Sequence, residues 1–567
     1  MKNAKRILAF LLICMMIVSI AACNKDTANT DNTSTAGSSD TGSTDASGSG
    51  NGSNTSDNNA NSSDSSGNNS GGNNAGSGAA VSSKDTVSIA VTMDSGNLDP
   101  AESNALDIVY GVQLIYDTLW VYDNEGNMTL VLAEELDMTD PMRWIVKIRE
   151  GIKFSNGADF TAEDVLFSLN KVNFREGQPG ILLQFDMEAS EIIDDYTVAI
   201  VWNEYLFTLP SAVSALAMHD KDTLEADPQQ TRLRPMGTGP YIMTDYVVNS
   251  HLTLERRDDY WGELPAIKTF NFVQLKEDSQ RVNALLTGEV DVAPVPAQDI
   301  EYLSTMPSLD VRITPAVRGS ALYFNITESS VFHDNIDARR AVAYAVDRAA
   351  IAKLVYNDYV PVSRTLCPLV VNDIDDRFLD IGIYGDGYKV ELAKELAISS
   401  GLVDKEIRMI NNGTAAAVLT CELIQANLAA IGVKVTISNL DLGTWTSWIF
   451  DEASGFDMNI DTASASGASM SGYFHFTYNY DGGTSYVTND FEGHDRVFEM
   501  LSYIRSIPDV ETRLEMNLEM THIAIDNMLW LTLVDGLTSY ALADGLQGNV
   551  LNQTGGYVHW RNLYWTD

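Results

Sequence analysis

The chain has 567 residues, with 78 acidic and 36 basic side chains and a formal net charge of −42. A surface this acidic argues against nucleic acid as a partner, because phosphate recognition depends on basic side chains, and it argues against direct binding to an anionic membrane. The length is too great for one simple core, so we expect two or three lobes.

The first residues predict export and lipid anchoring. Lys2, Lys5 and Arg6 precede an uncharged apolar stretch over residues 7–20, which is the layout of a secretory signal. Small residues then lead to Cys23, as in the bacterial lipobox, whose cysteine is diacylated. Two acyl chains hold a protein firmly at a bilayer. We therefore expect a signal peptide over residues 1–22 and an anchor at Cys23 on the outer face of the cell membrane, in a Gram-positive bacterium.

Residues 23–83 predict a disordered linker. After Cys23 this segment is almost entirely Asn, Ser, Gly, Thr, Asp and Ala, and it contains no aromatic residue. Such a composition buries too little apolar surface to offset the entropy of ordering. Treated as a flexible coil, it spans roughly 40–45 Å. Residues 1–83 contain few charged side chains, so nearly all of the net charge belongs to the domain that follows.

Strands and helices alternate in that domain. Apolar runs over residues 87–91 and 143–148 predict strands. Thr161 and Asp164 stand at the start of a helical pattern, where each side chain can accept from a free backbone N–H group. Capping explains this pair, so we assign it no catalytic role.

Two further helices are predicted in the second half of the chain. One follows Asp337, which is a favourable N-cap residue, and carries an apolar stripe at helical spacing. The other covers residues 419–430 and leads through Gly432 into a strand at residues 433–437. This succession is typical of mixed α/β lobes.

Seven short motifs follow one another along the domain. They occupy residues 97–100, 151–165, 237–241, 259–262, 285–291, 322–325 and 338–348. Each is a weak pattern alone, but their order resembles that of the extracellular solute-binding proteins of family 5, the peptide/nickel type that feed ABC importers.

The resemblance implies an α/β fold of the two-lobe periplasmic-binding-protein type, cluster C. Lobe I would span residues 84–318 with an extra subdomain at about 129–235, lobe II residues 319–535, and residues 536–567 would return to lobe I. It implies a monomer that captures an oligopeptide or peptide-like compound between closing lobes. The partners would be a membrane permease and its ATPase, and no catalytic residue, metal or cofactor is expected.

The resemblance also nominates ligand-binding residues. Peptide binders of the family place a Trp and an Asp soon after a Phe/Tyr-Asp pair. Here Phe456-Asp457 matches that pair, but no Trp follows, and Asp461 comes earlier than expected. Asp461 is our candidate for the partner of a ligand ammonium group. Motif position and flanking aromatics add Tyr110, Asn325, Trp445, Trp448 and Tyr473.

Other interpretations stay open at this point. The solute could be an oligosaccharide or another small compound, or the chain could be a surface receptor that senses a ligand without transport. A hydrolase is disfavoured, because the domain has no Gly-x-Ser-x-Gly, His-Glu-x-x-His or phosphate-binding glycine loop. Cys367 and Cys421 have no partner at zinc-ligand spacing. They form either one disulfide or two buried thiols.

Overall fold

The computed structural model describes residues 84–566 apart from 93, 95, 103–110, 124–126, 174–183, 372, 452–453, 465–468, 479–490 and 549–559. The predicted signal, the predicted lipidation site Cys23, the predicted linker and Tyr110 lie outside the described residues. Within the described ranges, no helix is long and apolar enough to cross a membrane.

The described residues form strands and helices in alternation. The strands are β1 Thr86–Val91, β2 Trp120–Tyr122, β3 Met128–Leu130, β4 Ala133–Asp140, β5 Arg143–Ile148, β6 Phe185–Asp194, β7 Thr197–Trp202, β8 Tyr241–Val247, β9 His251–Arg256, β10 Thr269–Gln274, β11 Val292–Pro294, β12 Leu309–Phe324, β13 Glu406–Asn411, β14 Lys434–Asn439, β15 Met458–Ser464, β16 Trp530–Ala543, β17 Leu546–Gln547 and β18 Tyr564–Trp565. The α-helices are α1 Ala162–Asn173, α2 Leu209–Ser214, α3 Lys221–Ala226, α4 Gln230–Leu233, α5 Asp278–Thr287, α6 Ala297–Ser304, α7 Ile336–Ala345, α8 Arg348–Tyr356, α9 Ile383–Asp386, α10 Val390–Ser399, α11 Ala415–Ala430, α12 Leu442–Ile449, α13 Met470–Thr477, α14 His494–Leu501 and α15 Val510–Asp526. Short 3-10 turns occur at Asp376–Phe378, Leu402–Asp404, Ile504–Ser506 and Trp560–Asn562.

The largest sheet of the described residues is mixed and has ten strands. Its strand order is β14-β13-β15-β12-β16-β11-β1-β10-β9-β8. β12 and β16 pair antiparallel along most of their length, and the pairing shifts register between Ala316 and Ala321. These two strands therefore carry the sheet from one half of the molecule into the other.

Three large hydrophobic cores divide the molecule. The core of lobe I surrounds β1, β9 and β10 and includes Trp560 and Trp565 from the chain end. The subdomain, built on the four-stranded sheet β4-β5-β7-β6 with α1 and α2, has its own core of Trp120, Trp144 and Trp202 with neighbouring aliphatic residues. The core of lobe II is formed by buried apolar residues drawn from the segment 321–534. A small fourth cluster lies around α5, α6 and β11.

The chain end is tied to lobe I by a buried carboxylate. Asp117 is 2% exposed and accepts hydrogen bonds from Trp261 Nε1 (2.9 Å) and from the hydroxyl of Tyr260 (3.3 Å). Arg561 Nη2 forms an ion pair with it at 2.9 Å. Tyr260 and Trp261, which belong to one of the seven motifs, therefore serve the structure of lobe I.

The predicted elements agree with the structure in kind, with local corrections. β1 and β5 confirm the two predicted strands. The predicted cap at Asp337 is wrong, because Asn335 accepts from the Ala338 N–H group, and Asp337 lies in the first turn of α7. Asparagine two residues earlier satisfies the same free N–H groups, so composition alone did not decide between them.

At the start of α1, the predicted capping role of Asp164 is confirmed. Asp164 Oδ2 accepts from the Thr161 N–H group at 2.8 Å, as expected of a capping carboxylate. The Thr161 hydroxyl donates to the same carboxylate at 3.0 Å, and its predicted role as an acceptor stays a prediction. Burial raises the pKa of Asp164. The pair closes a local turn and points to no reaction.

The two cysteines of the domain are separate buried thiols. Cys367 and Cys421 are both free. Burial raises the pKa of Cys421 to about 12 and that of Cys367 further above its usual value. Both thiols are therefore protonated and inert near neutral pH.

Candidate functional site

A crevice lies where the paired strands β12 and β16 pass from one lobe to the other. It encloses about 350 Å³ and is lined by residues of both halves, including Pro296 and Gln298 of lobe I and Thr414, Asp461 and Thr462 of lobe II. A volume of this size lies in the range of small-molecule sites. The crevice is therefore the candidate binding site.

Strand order explains why a crevice forms there. β13 pairs parallel with both β14 and β15, so the carboxyl ends of these strands lie at one edge. The last pair between β13 and β15 joins Ile410 and Asn459, so β15 continues past the end of β13 and brings Asp461 beyond it. Open α/β sheets bind ligands outside the carboxyl ends of their strands.

Asp461 is the distinctive group of the crevice. It lies opposite Ala321 of β12 and is partly exposed. Desolvation raises the pKa of its carboxyl to about 7, against a smaller opposing effect of the Thr462 N–H group, which donates to Oδ1 at 2.5 Å. No basic side chain among the described residues forms an ion pair with it. A carboxylate in this state has capacity to bind a cation.

The first turn of α11 also faces the crevice, through residues Ala415, Ala416 and Ala417. The N-cap residue Thr414 makes no capping bond with its side chain, and its hydroxyl donates to Asn412 Oδ1 at 2.9 Å. The first N–H groups of a helix have no acceptor within the helix and carry partial positive charge. This end of the crevice therefore offers donors to an anionic or carbonyl oxygen.

Asp535 is a second carboxyl on the wall of the crevice, but it is already bonded. It is 7% exposed, and Oδ1 accepts from the Ser363 hydroxyl at 2.7 Å. Burial raises its pKa. Because it is fixed against the 361–363 segment, we regard it as a support of the crossing strands.

The structure buries two of the predicted ligand residues in the core of lobe II. Asn325 is 2% exposed; its Nδ2 donates to the Phe456 carbonyl at 2.8 Å, and its Oδ1 accepts from the Thr327 N–H group at 2.9 Å. Trp445 is 7% exposed and donates from Nε1 to Asn459 Oδ1 at 2.9 Å. Neither side chain lines the crevice.

The two remaining aromatics are also part of that core. Tyr473 is fully buried, with its ring 5.8 Å from that of Trp530. Trp448 is partly exposed and packs against the same cluster. Of the predicted ligand residues that the structure describes, Asp461 is therefore the one that lines the crevice.

Sequence reasoning missed the donors at α11. The predicted helix began at residue 419, but α11 begins at Ala415. The first turn of α11 therefore lay outside the predicted helix, although Thr414 before three alanines is a recognisable helix start. Arg318, Tyr356 and Asp535 on the wall carried no sequence signal of their own.

A second concavity of about 610 Å³ lies on the surface of lobe I and its subdomain, around Lys147, Arg149 and Trp261. Lys147 there already pairs with Glu134 at 2.9 Å and Glu135 at 3.3 Å. It is larger than the crevice, but its described lining residues all lie between 134 and 261, whereas those of the crevice come from both halves of the molecule. We therefore prefer the crevice.

Known proteins share this architecture. CtaP, an ABC transporter substrate-binding protein of Listeria monocytogenes, superposes with a TM-score of 0.73 at 19% identity, over 85% of this chain and 100% of that chain. The oligopeptide-binding protein AppA of Bacillus subtilis, solved with a nonapeptide, gives a TM-score of 0.71 at 17% identity, over 85% and 99%. At these identities the likeness establishes the fold, and it confirms the predicted two-lobe α/β architecture.

Sequence comparison identifies the family. The glutathione-binding protein GsiB of Salmonella paratyphi A is 26% identical over 371 residues, which is 64% of this chain and 71% of that protein. A family model described as bacterial extracellular solute-binding proteins, family 5 Middle, matches residues 127–485. This confirms the predicted family, while the exact lobe boundaries and ligand contacts stay predictions. The chain belongs to the bacterial extracellular solute-binding proteins of family 5 and is a solute-binding protein, not an enzyme.

Proposed function

We propose that the protein captures a short peptide or peptide-like compound with a free amino group and delivers it to the permease of an ABC importer. The observation that carries the proposal is Asp461, a desolvated carboxyl on the wall of the crevice. It has no ion-pair partner among the described residues. A ligand ammonium group would supply that partner and gain a charge-assisted hydrogen bond.

A peptide-like compound also matches the opposite chemistry at α11. The N–H groups of Ala415, Ala416 and Ala417 favour a carboxylate or carbonyl oxygen. A free peptide carries both an ammonium group and such oxygens, so one molecule can use both ends of the crevice. Neutral sugars can hydrogen-bond at both ends through hydroxyls, but they carry no charge that pairs with either.

The lining favours a peptide over a saccharide for a second reason. Sugar faces are commonly covered by aromatic rings, but among the described lining residues Tyr356 is the one aromatic. The similar proteins GsiB and AppA are named for binding glutathione and oligopeptides. Both of those ligands are peptides, which supports the same class for this chain.

We further propose that the protein acts as a lipid-anchored monomer outside the cell. The support is the apolar signal before Cys23 and the polar linker over residues 23–83. A linker of this length holds the domain above the membrane while leaving it free to turn toward a permease.

Calorimetry with peptides tests the proposal. A pool of tripeptides with free termini should bind, and the same pool after N-acetylation should bind about 10- to 100-fold more weakly, because hydrogen bonds to charged groups contribute about 1.5–3 kcal/mol. Asp461→Asn should weaken the free pool equally and leave the acetylated pool unchanged. Asp278→Asn is the matched control, since Asp278 lines the same crevice but pairs with Arg281. Equal binding of free and acetylated pools would refute an ammonium site at Asp461.

A further inference from the structure

The subdomain and lobe II touch at a second place, away from β12 and β16. Phe207 lies in the segment between β7 and α2 of the subdomain, and Arg513 lies in α15 of lobe II. The Arg513 guanidinium carbon is 4.0 Å from the centroid of the Phe207 ring. The Phe207 N–H group donates to the Arg505 carbonyl oxygen at 2.9 Å. One residue of the subdomain therefore makes two contacts with lobe II.

The Phe207 ring is directed to this contact and not to the core of its own subdomain. Its neighbours Leu206 and Leu209 pack against the subdomain core, whereas the described members of that core do not include Phe207. Its ring is only partly exposed. An aromatic side chain at this position gains its burial from lobe II.

Arg513 is held in position to receive the ring. It is 7% exposed, and its Nη1 donates to the carbonyl oxygens of Ile507 and Pro508 at 2.6 and 2.9 Å. Its Nε has no acceptor among the described residues. The two carbonyls fix the plane of the guanidinium, and the ring of Phe207 covers it. A desolvated cation over an aromatic face is a favourable contact.

We propose that Phe207, Arg505 and Arg513 form a clasp that stabilises the arrangement in which the subdomain and lobe II touch. Opening the lobes separates the ring from the guanidinium and breaks the backbone hydrogen bond. The clasp therefore biases the equilibrium toward closed molecules, and a solute enters only from the fraction in which the clasp is open. This inference concerns the lobes themselves and holds whichever solute the protein carries.

Pulsed electron spin resonance on the ligand-free full chain tests the clasp. Spin labels at Ser211→Cys on α2 and Glu515→Cys on α15 report the separation of subdomain and lobe II, since both positions are exposed. Cys14 and Cys23 are changed to serine, and Cys367 and Cys421 are buried and do not label. The parent should give one narrow distance. Phe207→Ala should shift the ratio of open to closed molecules about tenfold, seen as a longer and broader distance.

Two further variants separate the clasp from a general loss of structure. Phe207→Leu keeps an apolar side chain without an aromatic face and should give an intermediate shift. Tyr205→Ala removes a neighbouring aromatic of the same segment and should leave the distance as in the parent. An unchanged distance in both Phe207 variants, or a parent that is already open, would overturn the proposal. Neither outcome bears on which class of solute is bound, so this proposal and that of a peptide ligand fail separately.

Discussion

Asp461 differs from the other carboxyls of the interior in what surrounds it. Asp117 pairs with Arg561, and Asp457 pairs with Arg408 at 3.1 Å. Asp373, whose pKa burial also raises, accepts from Ser469, Met470, Ser471 and Asn517. Asp461 accepts only from the N–H group of the next residue among the described contacts. A carboxyl that is desolvated but not neutralised is typical of a binding position.

The raised pKa of Asp461 predicts how binding depends on pH. With a pKa of about 7, the carboxyl is mostly protonated at pH 5 and mostly ionised at pH 8. An ammonium ligand requires the ionised form, so affinity for tripeptides should rise by roughly tenfold or more over that interval. Calorimetry at several pH values measures it. In Asp461→Asn the rise should vanish, and a rise that persists would assign the titration to Asp535 instead.

The raised pKa of Asp461 also affects the stability of the folded protein, but in the opposite direction: stability falls as pH rises. Because the folded protein holds this proton to higher pH than the unfolded chain, whose carboxyl titrates near 3.8, it binds more protons between these two values. The contribution of Asp461 to stability therefore falls as pH rises from about 4 to about 7. A bound ammonium group would remove that loss, so ligand stabilisation should be largest at neutral pH and above.

The sequence predicted Asp461 but could not predict its surroundings. Its offset from the Phe456-Asp457 pair marked it as unusual. The aromatic residues Trp445 and Tyr473 stood nearby in sequence, but only the packing of lobe II decides whether such rings face a core or a crevice. The donors at α11 were missed because the start of a helix is the part of it that sequence patterns locate least well.

At the scale of elements, β12 and β16 carry the connection between the lobes. The 16 and 14 residues of these strands are longer than most strands, and the sequence indicated only a crossing near residues 319–325 and 536. Pro315 and Gly536 lie within them and would ordinarily argue against long strands. Their pairing over a great sequence distance overrides those local preferences.

Glycine is required at position 536, where β16 approaches β12 closely. A Cβ atom there would lie 1.2 Å from the carbonyl oxygen of Arg318. Gly536→Ala must therefore displace the backbone, and we expect destabilisation of at least about 3 kcal/mol or failure to fold, measured by urea denaturation. Gly443→Ala in α12 is the control, since its nearest atom would be 3.4 Å away, and it should leave stability unchanged or slightly raised. Equal stability of the two variants would show that the backbones at Gly536 and Arg318 can move apart at little cost in free energy.

At the scale of the whole molecule, the order of motifs predicted the fold because most of those motifs have structural roles. Residues 259–262 contribute Tyr260 and Trp261 to the Asp117 cluster, and residues 338–348 form α7 and the start of α8. Such residues are constrained by packing, which is common to all members of a fold. The solute contacts vary with the cargo, so the motifs identify the family and leave the ligand to the crevice.

The acidity of the molecule is consistent with this division of roles. Many of the carboxylates are exposed, as on β4 and β6, and serve solubility more than recognition. The groups that we propose to bind the cargo are few: one carboxyl on β15 and the first turn of α11.

Native mass spectrometry tests the central claim most directly. The protein is purified from its own cells, weighed intact, and weighed again after mild unfolding that releases any bound solute. We expect a mixture of short peptides or peptide-like compounds with free amino groups, released only on unfolding. A single saccharide as the released solute would contradict it.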